Sequence, residues 1–340
     1  MDTLANAAGE AKTGGNRMKP RGRFLGLAAG AGLAVAVLAI VVLGGAPSRA
    51  TTHGANGRIV YQNRNDERGT GRLYSIRPDG TRRRAVTNAP GDAAPDWAPD
   101  GSKIAFALSH DQGPPFCSVA LVNPDGTGLT DLSTGQTGCE GDPAFTPDGR
   151  RIVFVHFDDK ADSENIWTMD LTGGDRRRLT NRDDSGTLDP NVSPNGRWIT
   201  FVRERSETAK ALLRMRSDGT DVRRLTPFRW DVFASKHDWS PDGKLIVLTR
   251  DADRADAGRS ANLVTIHPDG SDAKNLTHFK GGTRNAFAGS FSPNGKRIVF
   301  RLQKGDRYAL ATIRRDGGGL RLLTRMTRVM PRYIDWGSHP

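Results

Sequence analysis

A ten-residue phrase, Trp239-Ser240-Pro241-Asp242-Gly243-Lys244-Leu245-Ile246-Val247-Leu248, recurs down the chain, and a repeat restricts the fold of a sequence more tightly than composition does. Its copies begin at Trp97, Phe145, Val192 and Phe291, with a truncated copy in Asp335-Trp336-Gly337, and the spacing stays between 45 and 52 residues. A second phrase interleaves with the first. It runs from an Asp-Gly or Gly-Gly pair to Leu-Thr or a near relative, as in Pro78-Asp79-Gly80 to Val86-Thr87 and Pro268-Asp269-Gly270 to Leu276-Thr277. Six units follow from either phrase.

Each phrase encodes a turn. Proline presets the first central residue and the following glycine takes the left-handed position of a tight hairpin, so every unit holds two hairpins. The run after the first turn is apolar on both faces, as in Ile104, Phe106 and Leu108 against Ala105 and Ala107. A sheet with one wet side would alternate with polar residues, so these strands are expected to be covered on both sides. Four short strands, A to D, fit each unit. Sheets stacked radially cover one another, which predicts an all-β, six-bladed β-propeller of four-stranded blades.

The aromatic-Ser-Pro-Asp-Gly-Lys core and its Asn-Pro-Asp-Gly partner resemble the TolB-type, or WD40-like (PD40), six-bladed propellers over residues 57–337. The resemblance implies a fold rather than an activity, because such propellers serve as docking platforms and as gating domains of prolyl oligopeptidase-like enzymes. Gly57-Arg58-Ile59-Val60-Tyr61 reads as a strand B without a strand A, and Ile334-Asp335-Trp336 as a strand A without a strand B. The ring is therefore expected to close by strand exchange between the termini.

Residues 1–23 form a polar tail ending in Arg17, Lys19, Arg21 and Arg23, and residues 24–43 are an uncharged apolar or small-residue run. A cleavable signal has an apolar core of about 7 to 15 residues, so the longer run predicts an uncleaved, single-pass N-terminal helix with its basic flank inside. Ser48-Arg49-Ala50 supplies a cleavage site for the secreted alternative. Residues 44–56 read as a linker. Either way the propeller lies outside the cytoplasm, as a monomer whose partner is a protein or cell-envelope ligand, with no nucleic acid. Export also makes the two cysteines, Cys117 and Cys139, a candidate disulfide, placed by the repeat in two loops on one face of blade 2.

Signals for chemistry are sparse. No Gly-x-Ser-x-Gly nucleophile elbow occurs, and the seven histidines show no His-x-x-x-His spacing. The acidic loops Asp158, Asp159, Asp162, Glu164 and Asp251, Asp253, Asp256 lack the glycine and terminal glutamate of an EF-hand, so no cofactor is expected and calcium is the weaker alternative. The aspartates of the Pro-Asp-Gly turns are read as turn formers, and Trp97, Trp239 and Trp336 as packing between blades. Asp92, Asp142, Asp189, His237 and Asp238 precede strands A, which makes them candidate ligand contacts at the channel mouth. They would also supply the acids of a carbohydrate-active or other hydrolytic or lyase enzyme, the runner-up to a non-catalytic binding platform. With a net charge of +12, arginines cluster at the outer strands. Arg82, Arg83, Arg84, Arg176, Arg177 and Arg178 are read as protecting strand edges, with an anionic surface as their alternative partner.

Overall fold

The computed structural model describes residues 54–65, 70–110, 117–133, 138–158, 163–181, 186–252 and 258–339. It contains six four-stranded antiparallel sheets. Blade 1 joins the two ends of the propeller: Met330–Ser338 is its inner strand A, hydrogen-bonded to Asn56–Asn65, then Thr70–Ile76 and Arg84–Ala85. The expected strand exchange is present, and both terminal strands are longer than the expected 57–61 and 334–336. The apolar run 24–43, the tail before it and most of the linker lie outside the described residues. Among the described residues no helix is long and apolar enough to cross a membrane.

Burial follows the two-sided pattern of strand B. Arg151–Asp158 buries four consecutive residues and Trp198–Ser206 five. Six main apolar clusters result, one at each seam. Val60 and Leu73 of blade 1 meet Trp97 and Ile104 of blade 2, and Val299 and Leu310 of blade 6 meet Ile59 and Trp336 of blade 1. The core is thus a ring of interfaces, with no single centre.

The second phrase fixes how the blades stack. Its glycines Gly80, Gly126, Gly173, Gly219, Gly270 and Gly317 all have positive φ, between 82° and 93°. A Cβ on any of them would press on the carbonyl oxygen that ends strand D of the preceding blade: Leu323, Val86, Leu132, Leu179, Leu225 and Leu276 in turn. Glycine is therefore required twice, for the turn and for the approach. The hydroxyl closing the phrase accepts a strand C amide in every blade, as when Leu73 N donates to Thr87 Oγ1 and Leu310 N to Thr324 Oγ1. A two-residue strand D is extended by one side-chain bond.

One register position separates the seams. In blade 5 the Trp239 indole Nε1 donates to Thr200 Oγ1 on blade 4, at 2.9 Å. Thr200 pairs across its sheet with Asn191, and the residue in the same register is Val60 in blade 1, where Asp335 is the partner. In blade 6 it is Val299, the neighbour of Ile298, which pairs with Phe291. The buried indole nitrogens of Trp97 and Trp336 accordingly have no hydrogen-bond partner among the described residues. Val299→Thr should supply the missing acceptor for Trp336 and raise stability by about 1 kcal/mol in denaturant melts. Val247→Thr, which faces the apolar Phe291 across the next seam, should instead lower it by about 1 kcal/mol or more.

Candidate functional site in the central channel

The channel wall is built from the three residues before each strand A aromatic. Strand A carries a β-bulge there in blades 2, 3, 4 and 6, and a register shift marks the same place in blade 1. Positive φ of 47° to 49° at Ala94, Asp142, Asp189 and Tyr333 marks the bulge. A bulge re-aims a side chain. Ala94, Asp142, Asp189, Lys236 and Tyr333 consequently share one small cavity in the channel, of about 10 Å³. On its other side, Asp96, Asp238 and Asp335 line a second cavity of about 40 Å³.

The residue immediately before the aromatic latches one blade to the next. Asp335 accepts Trp97 N at 2.9 Å, Asp96 accepts Phe145 N at 2.9 Å, Asp238 accepts Phe291 N at 2.7 Å and Ser290 Oγ accepts Trp336 N at 3.0 Å. Asn191 reverses the polarity and donates Nδ2 to His237 O. Ala144, at the corresponding place in blade 3, has no polar group to offer.

The latch carboxylates would repel one another across the channel, and Lys236 is what they share. Its Nζ lies 3.6 Å from Asp96 Oδ1 and 3.6 Å from Asp335 Oδ1. Burial works against the ammonium, but Asp335, Asp96, Asp238 and Asp189 outweigh it and raise Lys236 above the ordinary lysine range. One cation does not satisfy every acid. Burial and then Asp335 push Asp96 up to about 7, against the pull of Lys236. Burial is also the main cause at Asp238, pushed up to about 8, and at Asp142, where Asp189 helps to push it up to about 7.

Behind the wall, Asp189 Oδ2 lies 2.7 Å from His237 Nδ1, and His237 Nε2 lies 2.8 Å from Thr200 Oγ1. The order acid, imidazole, hydroxyl is that of a hydrolytic triad. His237 and Thr200 are both wholly buried, and the Thr200 oxygen is already engaged by Trp239. No reacting carbonyl can approach it, so this is a structural bridge between blades 4 and 5.

The propeller matches known proteins. Residues 52–330 match the family described as PD40, the TolB beta propeller domain. The chain belongs to this family. An uncharacterised protein of Agrobacterium fabrum is 26% identical over 254 residues, covering 61% of this chain and 83% of that one. An uncharacterised peptidase of Bacillus subtilis, YuxL, is 29% identical over 194 residues. That match covers 47% of this chain, which spans only 29% of the peptidase's length. The crystal structure of TolB from Acinetobacter baumannii superposes with a TM-score of 0.66 at 23% identity, covering 83% of this chain and 67% of that one. At that identity the likeness concerns the fold of the TolB-like propeller.

Of the candidate mouth residues, Asp142 and Asp189 line the channel and Asp238 sits below them as a latch. His237 is behind the wall. Asp92 is fully buried against the end of strand B of blade 2, where its Oδ1 accepts Ser109 N at 3.2 Å, and it takes no part in the channel. Three members of the site escaped the sequence reading: Asp96, Lys236 and Asp335. The Asp-Trp pairs at 96, 238 and 335 were the available signal.

Cys117 and Cys139 form a disulfide, with Cα atoms 4.8 Å apart. The expectation that both belong to loops of blade 2 is corrected: Cys117 opens strand C of blade 2 and Cys139 opens strand A of blade 3. The bond staples two blades. Beside it, buried Glu140 takes hydrogen bonds from His156, Arg176 and Ser133, which overcome burial and hold its carboxyl below the usual range. Arg176 is therefore drawn into a seam and is not part of an exposed basic patch. Arg82, Arg84, Arg177 and Arg178 are exposed, and Arg83 lies 4.3 Å from the centre of the Tyr74 ring. Of the two acidic loops, Asp159, Asp162, Asp253 and Asp256 lie outside the described residues. Asp251 pairs with Arg250 and Arg259.

The two groups of carboxyls act oppositely on stability. Asp96, Asp142 and Asp238 keep protons that an unfolded chain releases near pH 4. Between that pH and about 8 the folded state holds more protons, so stability declines as pH rises through this window. The turn aspartates run the other way. Burial opposes the shift at Asp242, but hydrogen bonds from Arg315, Ser240 and the Lys244 amide hold it down to about 2, while Asp79 is lowered chiefly by Thr81. Their contribution is present above pH 4 and lost as pH falls below it. Thermal melts should therefore peak near pH 5 and decline by about pH 8, and Asp238→Asn, which retains an acceptor for Phe291 N, should flatten the decline.

Proposed function

We propose that this TolB-like propeller is a non-catalytic binding module held outside the cytoplasm, where the D-A loop side of its channel receives a cationic group of a cell-envelope protein or ligand. The observation that carries this reading is the size of the acidic channel. The cavity at Asp142 and Asp189 is about 10 Å³, space for one water, whereas substrate pockets enclose roughly 300–1,000 Å³. Carboxylates with no room for a substrate can accept a lysine, arginine or amine placed at the mouth, but cannot enclose a sugar ring.

The alternative, acid-base catalysis by hydrolysis or elimination, draws on the same pair, since Asp142 near 7 beside Asp189 would provide an acid next to a base. The two readings separate in one experiment. Binding a cation favours ionised Asp142, so capture of the partner by the full-length protein from cell-envelope extracts should strengthen from about pH 6 to 8. Asp142→Asn/Asp189→Asn should weaken it about tenfold or more. Turnover of an oligosaccharide that disappears in the same variant would establish the enzyme instead.

Strand B of blade 1 begins at Asn56, paired with Ser338, on the face of the A-B and C-D turns. The exposed Arg82, Arg84, Arg177 and Arg178 lie at the C-D turns or the outer strands of that face, and each could add about 1 kcal/mol beside anionic headgroups. Changing all four to glutamate should abolish salt-sensitive sedimentation of the anchor-free domain with anionic liposomes. Equal sedimentation of both forms would leave the arginines only as edge protection.

A further inference from the structure

Two residues past the first isoleucine of strand B, five blades carry a fully buried apolar side chain in the seam with the preceding blade: Phe106, Phe154, Phe201, Leu248 and Phe300. Phe106, for example, shares an apolar cluster with Val60 and Leu73 of blade 1. Blade 1 has Tyr61 there, in the cluster of Val299 and Leu310 of blade 6. Only 2% of Tyr61 is exposed, yet among the described residues its hydroxyl makes no hydrogen bond. Buried polar groups are ordinarily paired, so a hydroxyl added at an otherwise apolar position and left unpaired calls for a partner from outside the chain.

The hydroxyl has a place to reach. Tyr61 lines a cavity of about 330 Å³ between blades 6 and 1, near the lower end of the range for small-ligand pockets. One wall comes from a local fold-back. After strand D of blade 6 the chain returns along strand C, where Tyr308 N donates to Thr327 O at 2.7 Å and Thr327 N donates to Tyr308 O at 2.9 Å. This brings Arg325 and Val329 to the cavity, beside Pro331 at the start of the closing strand.

The polar lining is rich in donors. Asn63, Arg83 and Arg325 join Tyr61 there, and among the described residues no carboxylate lines the cavity. Arg83 lies over Tyr74, 4.3 Å from the ring centre, and among the described residues its N–H groups meet no hydrogen-bond acceptor. Arg325 is exposed and has no ion pair among the described residues. Burial outweighs the nearby charge of Arg83 and pushes Tyr61 up to about 12, so the phenol keeps its proton and remains a donor at neutral pH.

We propose that the cavity between blades 6 and 1 binds a small organic acid. Its carboxylate is held by Arg83 and by the Tyr61 hydroxyl, charge-assisted bonds that suit a planar acceptor with two oxygens. A compact ring or hydrocarbon body lies against Leu310, Val329 and Pro331. Because no other blade has a hydroxyl at the position of Tyr61, the site occurs once in the ring. It is independent of the channel and does not rest on the reading of Asp142 and Asp189.

The test uses benzoate as the probe, titrated against the full-length protein by ligand-observed NMR, with benzamide as the uncharged control. For a ligand of this size, saturable binding with a dissociation constant of about 1 mM is expected, and at least about fivefold weaker binding of the amide. Tyr61→Phe installs the side chain that four other blades carry, so it should keep the melting temperature while weakening benzoate about fivefold or more. Arg83→Gln should weaken benzoate about tenfold and leave benzamide unchanged. Absence of saturable benzoate binding to the wild-type protein, equal binding of benzamide, or undiminished binding to both variants would overturn the proposal.

Discussion

The structure depends on the requirement that each blade be covered by the next. A four-stranded sheet whose strand B is apolar on both faces has no stable exposed state, and its only partners here are two more copies of itself. The contact that enforces the stacking distance is the approach of each C-D turn glycine to the carbonyl ending the preceding strand D. It is repeated around all six seams. Once the sheets stand at that distance, their inner strands converge on an axis, and whatever precedes each aromatic must line a channel.

Convergence creates an electrostatic problem that the chain solves locally. Aspartate is a good latch because its carboxylate reaches the next blade's amide, but several latches around one narrow channel place like charges together out of water. Lys236 sits between Asp96 and Asp335 and neutralises part of this charge. The remainder appears as raised carboxyl pKa values. The perturbed acids of this channel are therefore a consequence of ring closure first, which is why perturbation alone does not identify a catalytic dyad here. The same reasoning removes His237 and Thr200 from candidacy, since their hydrogen bonds are complete and their surfaces buried.

The repeat is not uniform around the ring. Five aromatic seams and four carboxylate or hydroxyl latches are structural by their repetition. Val192 and Ala144 depart from both patterns, and both lie at the junction of blades 3 and 4. The disulfide and the Glu140 network reinforce the neighbouring seam between blades 2 and 3, while the junction of blades 3 and 4 is tied by Asp142, which accepts Asp189 N at 3.3 Å.

The number of blades, the four strands in each, the hairpins and the closure by Asn56–Asn65 against Met330–Ser338 were all legible in the sequence. They depend on local turn chemistry and on a period that any copy of the repeat reveals. The role of the closing threonine was not legible, because an amide bond from strand C to Thr87 or Thr324 leaves no compositional trace. Cys117 and Cys139 could be recognised as a pair, yet only the tertiary structure showed that they join two blades, since the start of a strand and the end of a loop differ by a few residues in sequence. The channel was half visible: Asp142 and Asp189 follow from the place of the D-A loops, while Asp92 stands two residues earlier in its repeat and turns into its own blade, the channel position of blade 2 being Ala94. Whether a side chain faces the axis is decided by a β-bulge, and the charge it then carries is decided by neighbours some fifty or more residues away around the ring.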